Sequence, residues 1–173
     1  MDIVPESSRD LIATLGYLCL GSRLKRLGER MQTSVAQHLV ALGLEVQPAQ
    51  LPVLWALGEQ GGAMTIGAIG ERLGISQPGV SRAIAALEKQ GLVMPANPGR
   101  DRRQRQIGIS PAGEALMARL SSGFFPAVEQ AVEALCLAAG PDLLVQIDRI
   151  EDDLAAAPLD ARIASFVVEH PDG

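Results

Sequence analysis

The sequence predicts a mainly α-helical protein with one small β-hairpin. Hydrophobic residues make up 47% of the 173 residues and aromatic residues only 3%, so the core is aliphatic, which favours helices over a β-sandwich. Apolar residues recur at spacings of three and four along the predicted helices. Strand-like alternation is confined to a short segment around the turn sequence Asn97-Pro98-Gly99.

The formal net charge of −5 is unevenly distributed. Residues 76–110 hold six basic and two acidic residues, whereas residues 111–173 hold three basic and eleven acidic ones. A basic island within an acidic chain indicates an anionic partner better than the total charge does. Nucleic acid is therefore not excluded by the net charge.

Several function classes find no support in the sequence. The two cysteines, Cys19 and Cys136, belong to no CxxC pair or Cys/His cluster, so we expect no disulfide framework and no metal site. The apolar run of residues 11–20 is too short to span a bilayer and follows no basic segment. We therefore expect a cytoplasmic protein with no membrane association. Because no nucleophile elbow or phosphate loop occurs, we expect neither an enzyme nor a cofactor.

The N-terminal third predicts one long helical region that ends at Gly43. A single apolar stripe runs along it, formed by Leu20, Leu24, Leu27, Met31, Val35, Leu39 and Leu42. A second helix is predicted from Pro48 to Leu57. Pro52 removes a backbone hydrogen bond there, so this helix either starts late or is kinked.

Two short helices are predicted next, separated by a tight glycine turn. Thr65 is a good N-cap for the first, which stops at Gly74. The second runs from Ser76, which we expect to cap it, to about Gln90, and turns Val80, Ile84 and Leu87 inward. This pattern is typical of a helix-turn-helix, but an ordinary αα-hairpin fits it about equally well.

The outer face and first turn of the second short helix supply candidate DNA contacts. Small and polar residues there allow a close approach to bases and phosphates. The alternative is an ordinary solvated polar face. The candidates are Ser76, Gln77, Gly79, Ser81, Arg82 and Lys89.

A hairpin with a basic tip follows this helix and favours the DNA interpretation. A strand at residues 92–94 and another at residues 106–109 flank the turn. Arginine at such a tip can enter a minor groove or contact phosphates, and Asp101 can brace the tip through an ion pair with Arg103 or Arg105. The alternative is a solvated loop with a surface aspartate. The candidate residues of the tip are Arg100, Asp101, Arg102, Arg103 and Arg105.

The C-terminal third predicts further helices. Ser110 and Pro111 form a helix start, and that helix carries apolar residues to Leu135 with a kink at Pro126. Gly140 and Pro141 end it. A long acidic helix with apolar residues from Leu143 to Leu154 follows, and a short one is predicted within residues 158–173.

Residues 39–120 resemble the MarR (multiple antibiotic resistance regulator) family of winged helix-turn-helix transcription factors. The stretches that carry the resemblance are LPVLWAL at 51–57, TIGAIGERLGIS at 65–76, GVSRAIAALEKQGLV at 79–93, DRR at 101–103 and IGISPAGEAL at 107–116. Met94 departs from the family, which often has a basic residue there, and Gly70 replaces a usual alanine.

The resemblance implies a homodimer formed by the terminal helices, a recognition helix in the major groove and a wing in the minor groove. By match, Gln77, Ser81 and Arg82 become base or phosphate contacts, and Asp101 and Arg103 form the wing's acid–arginine pair. It implies three regions: an N-terminal dimerisation helix (1–46), a DNA-binding lobe (47–110) and C-terminal dimerisation helices (111–173).

The sequence thus predicts a transcriptional regulator, with the role of a repressor, that binds double-stranded DNA at a pseudo-palindromic operator. The resemblance also implies a pocket for a small aromatic or phenolic ligand, for which Leu15, Leu39 and Trp55 are candidate lining residues. Two alternatives stay open: redox sensing through Cys19, and a winged helix used only for protein–protein assembly.

Overall fold

The computed structural model describes residues 10–96, 106–140 and 142–169. The side chains of residues 168 and 169 are not described. The structure is mainly helical, as the sequence predicts, with a small three-stranded antiparallel sheet. The chain divides into two compact units, Met1–Ser122 and Gly123–Gly173. The predicted wing residues between 100 and 105 lie outside the described residues.

The N-terminal helical region is interrupted rather than continuous. Helix α1 spans Leu11–Thr14, a 3-10 turn spans Gly16–Cys19, and α2 spans Leu20–Ala41. Gly16 has a φ of 56°, a left-handed conformation that glycine adopts without a steric penalty. It therefore allows the chain to leave helical geometry before α2, a break that the apolar periodicity does not reveal.

Helix α3 spans Leu51–Gln60 and follows a 3-10 turn at Pro48–Gln50. The Gln47 backbone N–H donates to Gln50 Oε1 at 2.7 Å. Pro52 lies in the first turn of α3, where its missing N–H has no intrahelical acceptor to lose. Of the two interpretations of Pro52, the late start is confirmed.

The next elements form the predicted pair of short helices. Strand β1 spans Met64–Thr65, α4 spans Ile66–Leu73 and α5 spans Gln77–Lys89. Thr65 caps α4, since its hydroxyl accepts from the Ala68 N–H at 3.2 Å. Gly74 ends α4 with a φ of 63°. Both assignments confirm the sequence prediction, whereas β1 was not predicted.

The sheet places β3 between β1 and β2. Strand β2 spans Val93–Pro95 and β3 spans Gln106–Ile109. Pro95 lies opposite Ile107 on the edge strand, where a residue without an N–H donor is tolerated. Ile107 is fully buried, so the sheet closes one side of the core.

The core of the first unit, Met1–Ser122, is aliphatic, as the composition predicts. Residues from α2, α3, α4, α5 and the sheet converge in it, which fixes the outward face of α5 by burying the inward one. The fully buried large side chains are Leu39, Val53, Leu54, Leu57, Ile69, Val80, Leu87, Ile107 and Leu120.

Helix α6 spans Pro111–Arg119 and leads through a π-helical turn, Leu120–Phe124, into the second unit. That unit holds α7 (Phe125–Ala139), α8 (Leu143–Ala156) and α9 (Leu159–Glu169). The irregularity predicted at Pro126 lies just before it, because Pro126 occupies the first turn of α7. Among the described residues no single helix could cross a membrane, although Pro111–Ala139 and Leu143–Ala156 pass the length and composition test as one bent pair.

Candidate nucleic-acid interface

Helix α5 has two faces of opposite character. Val80, Ile84 and Leu87 are at most 2% exposed, and they anchor the helix to the core. The other face is open to solvent and carries most of the residues that the sequence singles out. Exposed on it are Ser76, Gln77, Ser81, Arg82 and Lys89.

Gly79 differs from the other candidates because it is half-buried. A Cβ at this position would lie 3.0 Å from Ile75 Cγ2 and 3.4 Å from Ser76 Oγ. The turn between α4 and α5 therefore already constrains residue 79 sterically. The absence of a side chain at residue 79 therefore has a packing reason.

Ser76 stands at the N-cap position of α5, but its hydroxyl makes no capping hydrogen bond. The sequence-based assignment of Ser76 as a cap is therefore right in position and wrong in bonding. Its exposed hydroxyl stays available to an external group, and the positive end of the α5 dipole adds attraction for an anion.

The cations of this lobe fall into two groups. Arg72 donates to Glu59 Oε2 at 2.7 Å and to Gln60 Oε1 at 2.9 Å, which ties α4 to α3. Within the described ranges, neither Arg82 nor Lys89 lies within ion-pair distance of a carboxylate. Arg82 and Lys89 are therefore available to bind an external anion. Arg72 instead has a structural role that the sequence did not reveal.

The base of the wing is described, and its tip is not. The Ala96 N–H donates to the Gln106 carbonyl at 2.9 Å, which closes the hairpin just before the segment that carries Arg100, Asp101, Arg102, Arg103 and Arg105. Met94 is 47% exposed on the edge strand, where it offers an apolar side chain. The roles of the tip residues stay predictions.

Ser110 joins the wing to the next helix. Its hydroxyl donates to the Gly91 carbonyl at 2.6 Å and accepts from the Gly113 N–H at 3.1 Å. Glycine is required at 113, since a Cβ there would lie 2.2 Å from the Leu92 carbonyl oxygen. These contacts fix where β2 leaves α5 and so determine where the wing starts.

The remaining candidates differ in their exposure to solvent. Leu39 is fully buried, whereas Leu15 and Trp55 are 41% and 44% exposed; their role in a pocket stays a prediction. Cys19 is a partly exposed free thiol at the end of the 3-10 turn. Among the described residues, no group of three or more His, Cys, Asp or Glu side chains could hold a metal ion.

Comparisons with known proteins agree with this geometry. Residues 42–104 match the model of the MarR family. No curated protein sequence matches the chain.

Solved structures share the fold. The S. aureus MepR–DNA complex aligns with a TM-score of 0.61 at 21% identity, covering 80% of this chain and 97% of MepR. Bordetella bronchiseptica BpsR, whose DNA binding is regulated by 6-hydroxynicotinic acid, aligns at 0.60 and 22%, covering 90% and 100%. A MarR family regulator from Silicibacter pomeroyi DSS-3 aligns at 0.59 and 22%, covering 85% and 99%. The match to the MarR family model therefore covers residues 42–104, and the fold is shared with solved structures of MarR family regulators.

Proposed function

We propose that this protein is a sequence-specific, DNA-binding transcriptional regulator that acts as a homodimer. The observation that carries the proposal is the outer face of α5. There Arg82 and Lys89 are exposed and have no carboxylate partner among the described residues. An α-helix with such a face fits the major groove, where arginine reads guanine edges or contacts phosphates.

A homodimer sets the geometry of the operator. Two recognition helices related by a two-fold axis contact half-sites about one helical turn apart, so the operator is pseudo-palindromic. The arginine-rich tip between residues 100 and 105 then reaches the neighbouring minor groove. Bound in a promoter, such a dimer blocks transcription, which assigns the protein the role of a repressor.

A small-molecule effector completes the proposed mechanism. BpsR is a fold relative whose DNA binding responds to 6-hydroxynicotinic acid, which supports a small aromatic or phenolic ligand for this chain. The exposed side chains of Trp55 and Leu15 are candidates to contact it, and the buried Leu39 is the third candidate. Oxidation at Cys19 is the competing input, and a reducing-agent titration of DNA affinity separates the two.

The salt dependence of DNA binding tests the proposal. Fluorescence anisotropy with a duplex from the region upstream of the protein's own gene gives the affinity at several salt concentrations. Each phosphate contact contributes about −0.9 to the slope of log K against log salt. We expect Arg82→Ala to reduce affinity on this duplex by at least about 10-fold, the equivalent of 1.4 kcal/mol.

The control variant is Lys25→Ala, which removes one exposed positive charge from α2, outside the proposed interface. We expect its affinity and slope to equal the parent's. Arg103→Ala should lower affinity as Arg82→Ala does, because both contacts are needed. Parent binding that is absent or independent of salt contradicts the proposal and favours the protein-assembly alternative.

A further inference from the structure

A cavity of about 210 Å³ lies in the first unit, where the loop after α2 meets the end of α5 and helix α6. Residues 43–46 form one side of it. Gln90 at the end of α5, Leu92 just before β2 and Leu116 of α6 form the rest. Pockets for drug-sized ligands measure about 300–1,000 Å³, so this cavity suits a smaller molecule.

Most of the cavity wall is apolar. Leu44, Leu92 and Leu116 are half-buried, and Val46 is buried. Aliphatic side chains of this kind stabilise a ligand by removing its hydrocarbon surface from water. A ligand of this cavity is therefore apolar over most of its surface.

Gln90 supplies a hydrogen-bond acceptor to this wall. Its Nε2 donates to the Glu45 carbonyl at 3.2 Å. Because a carbonyl only accepts, the amide nitrogen must face Glu45 and Oε1 must point away from it. Within the described part of the chain, Oε1 is buried and accepts no hydrogen bond. A buried acceptor without a donor is unfavourable, so a ligand that donates to Oε1 removes this cost.

A small rotation of the Gln90 carboxamide brings Oε1 to the ligand. Oε1 itself is shielded from solvent, but Gln90 as a whole is half-buried and lines the cavity. The terminal torsion of glutamine has a broad minimum, so the rotation leaves the backbone of α5 in place. Binding favours the rotation, because it replaces an unsatisfied acceptor with a hydrogen-bonded one.

The charges around the cavity favour a cation as the donor. Helices α2 and α5 both end here, with Leu42 and Gln90 as their C-caps, so the negative ends of two helix dipoles lie close by. Glu45 also lines the cavity and is exposed, and no basic group among the described residues is within ion-pair distance of it. Arg119, which donates to the Leu42 carbonyl at 3.2 Å, and Lys89, next to Gln90, do not line the cavity.

We propose that this cavity binds a small apolar primary amine in its protonated form. The ammonium group donates to Gln90 Oε1 and to the Glu45 carboxylate, and the hydrocarbon part packs against the three leucines of the wall. An ammonium group is preferred to a hydroxyl because it adds charge to the hydrogen bond. A carboxylate is repelled by Glu45 and by the two helix ends.

This amine site goes beyond the proposed function and does not rest on it. The cavity contains none of Leu15, Leu39 and Trp55, the candidates for the aromatic or phenolic effector. It also lies at the opposite end of α5 from Ser76, about 20 Å away at 1.5 Å per residue. The amine and DNA therefore contact different parts of the helix.

Three ligands of similar shape test the chemistry of the site. Benzylamine, benzyl alcohol and benzoate share a phenyl ring, and at pH 7 they are cationic, neutral and anionic. The full chain, labelled with ¹⁵N and without DNA, is titrated with each ligand and followed by NMR. We expect saturable binding of benzylamine with a dissociation constant on the order of 1 mM. The largest shifts should be those of the Gln90 side-chain amide and of the Gly43 and Leu92 backbone amides.

Benzyl alcohol should bind at least about 10-fold more weakly than benzylamine, and benzoate should show no saturable binding. Glu45→Gln should weaken benzylamine binding by about 5- to 10-fold and leave benzyl alcohol binding unchanged, because only the charge is removed. Gln90→Leu removes the acceptor and should weaken the binding of both ligands. Because Glu45 is exposed, Glu45→Gln keeps the test valid if Gln90→Leu does not fold.

Two control variants localise the effect. Glu71→Gln makes the same change on an exposed residue of α4 outside the cavity, and it should leave benzylamine affinity unchanged. Trp55→Ala should also leave it unchanged. A loss of affinity in Trp55→Ala, with shifts centred on that residue, would place the amine in the proposed effector site and overturn the proposal.

Other outcomes also overturn the proposal. These are equal affinity for the three ligands, parental benzylamine affinity in Glu45→Gln, and no saturable binding at about 50 times the expected dissociation constant. All titrations are made without DNA, so a failure of the proposed DNA binding leaves these results unaffected.

Discussion

Replacing Ser110 by alanine should destabilise the protein far more than the same replacement at Ser76, although both serines occupy helix N-cap positions. Ser110 is 7% exposed. Its hydroxyl donates to the Gly91 carbonyl and accepts from the Gly113 N–H. Loss of an N-cap costs about 1 kcal/mol. The abandoned Gly91 carbonyl adds about 1 kcal/mol, at the low end because Gly91 is exposed and water reaches it.

Ser76 makes no capping hydrogen bond and is exposed, so Ser76→Ala should change the free energy of unfolding by less than about 0.5 kcal/mol. Urea unfolding at one fixed protein concentration is the assay, because the proposed dimerisation would make stability depend on concentration. The two losses in Ser110→Ala together lower the free energy of unfolding by about 2 kcal/mol. With an m-value of about 2 kcal/mol/M, the urea midpoint should therefore fall by about 1 M.

The two serine variants also distinguish an effect on stability from an effect on DNA binding. Ser76→Ala should weaken affinity for the operator while leaving the urea midpoint in place, since Ser76 belongs to the proposed interface. Equal midpoints for the two variants would refute the reasoning from hydrogen bonds. So would a Ser110→Ala midpoint within about 0.2 M of the parent's.

Two further predictions concern packing and pH. Gly113→Ala should lower the free energy of unfolding by about 1–3 kcal/mol or more, because a Cβ would lie 2.2 Å from the Leu92 carbonyl oxygen. Gly21→Ala is the control, since nothing lies within 4 Å of a Cβ at that position. Equal urea midpoints for the two variants would contradict the prediction. The hydrogen bond from Arg26 lowers the pKa of the Asp10 carboxyl from 3.8, so its contribution to stability is present above pH 3.8 and is lost as the pH falls through the lowered pKa. Carboxyl NMR should show a midpoint below 3.8 that rises in Arg26→Gln, and an unchanged midpoint would show that the ion pair does not form in solution.

The helix-turn-helix could be predicted because local and tertiary preferences agree there. Val80, Ile84 and Leu87 follow helical spacing, and the core buries all three. Thr65 and Gly74 mark the ends of α4 with a side-chain cap and a left-handed residue. The separation of α5 into an inner and an outer face follows directly from these residues.

Other features depend on contacts that no local pattern encodes. Strand β1 has two residues and exists because Met64 and Thr65 pair with β3, more than forty residues later. Ser76 and Ser110 have the same residue type at the same helix position, yet only Ser110 caps its helix. The difference comes from the Gly91 carbonyl, which orients the Ser110 hydroxyl from a distant segment.

The charge distribution is compatible with the proposed DNA interface although the chain has a net charge of −5. Repulsion between carboxylates and phosphates falls off only over about 10 Å at ordinary salt, so the proposed binding requires most carboxylates to lie away from the DNA. Residues 76–110 hold six basic and two acidic residues, whereas residues 111–173 hold eleven acidic ones. Because the basic residues are concentrated in the proposed interface, we expect DNA affinity to weaken as the salt concentration rises.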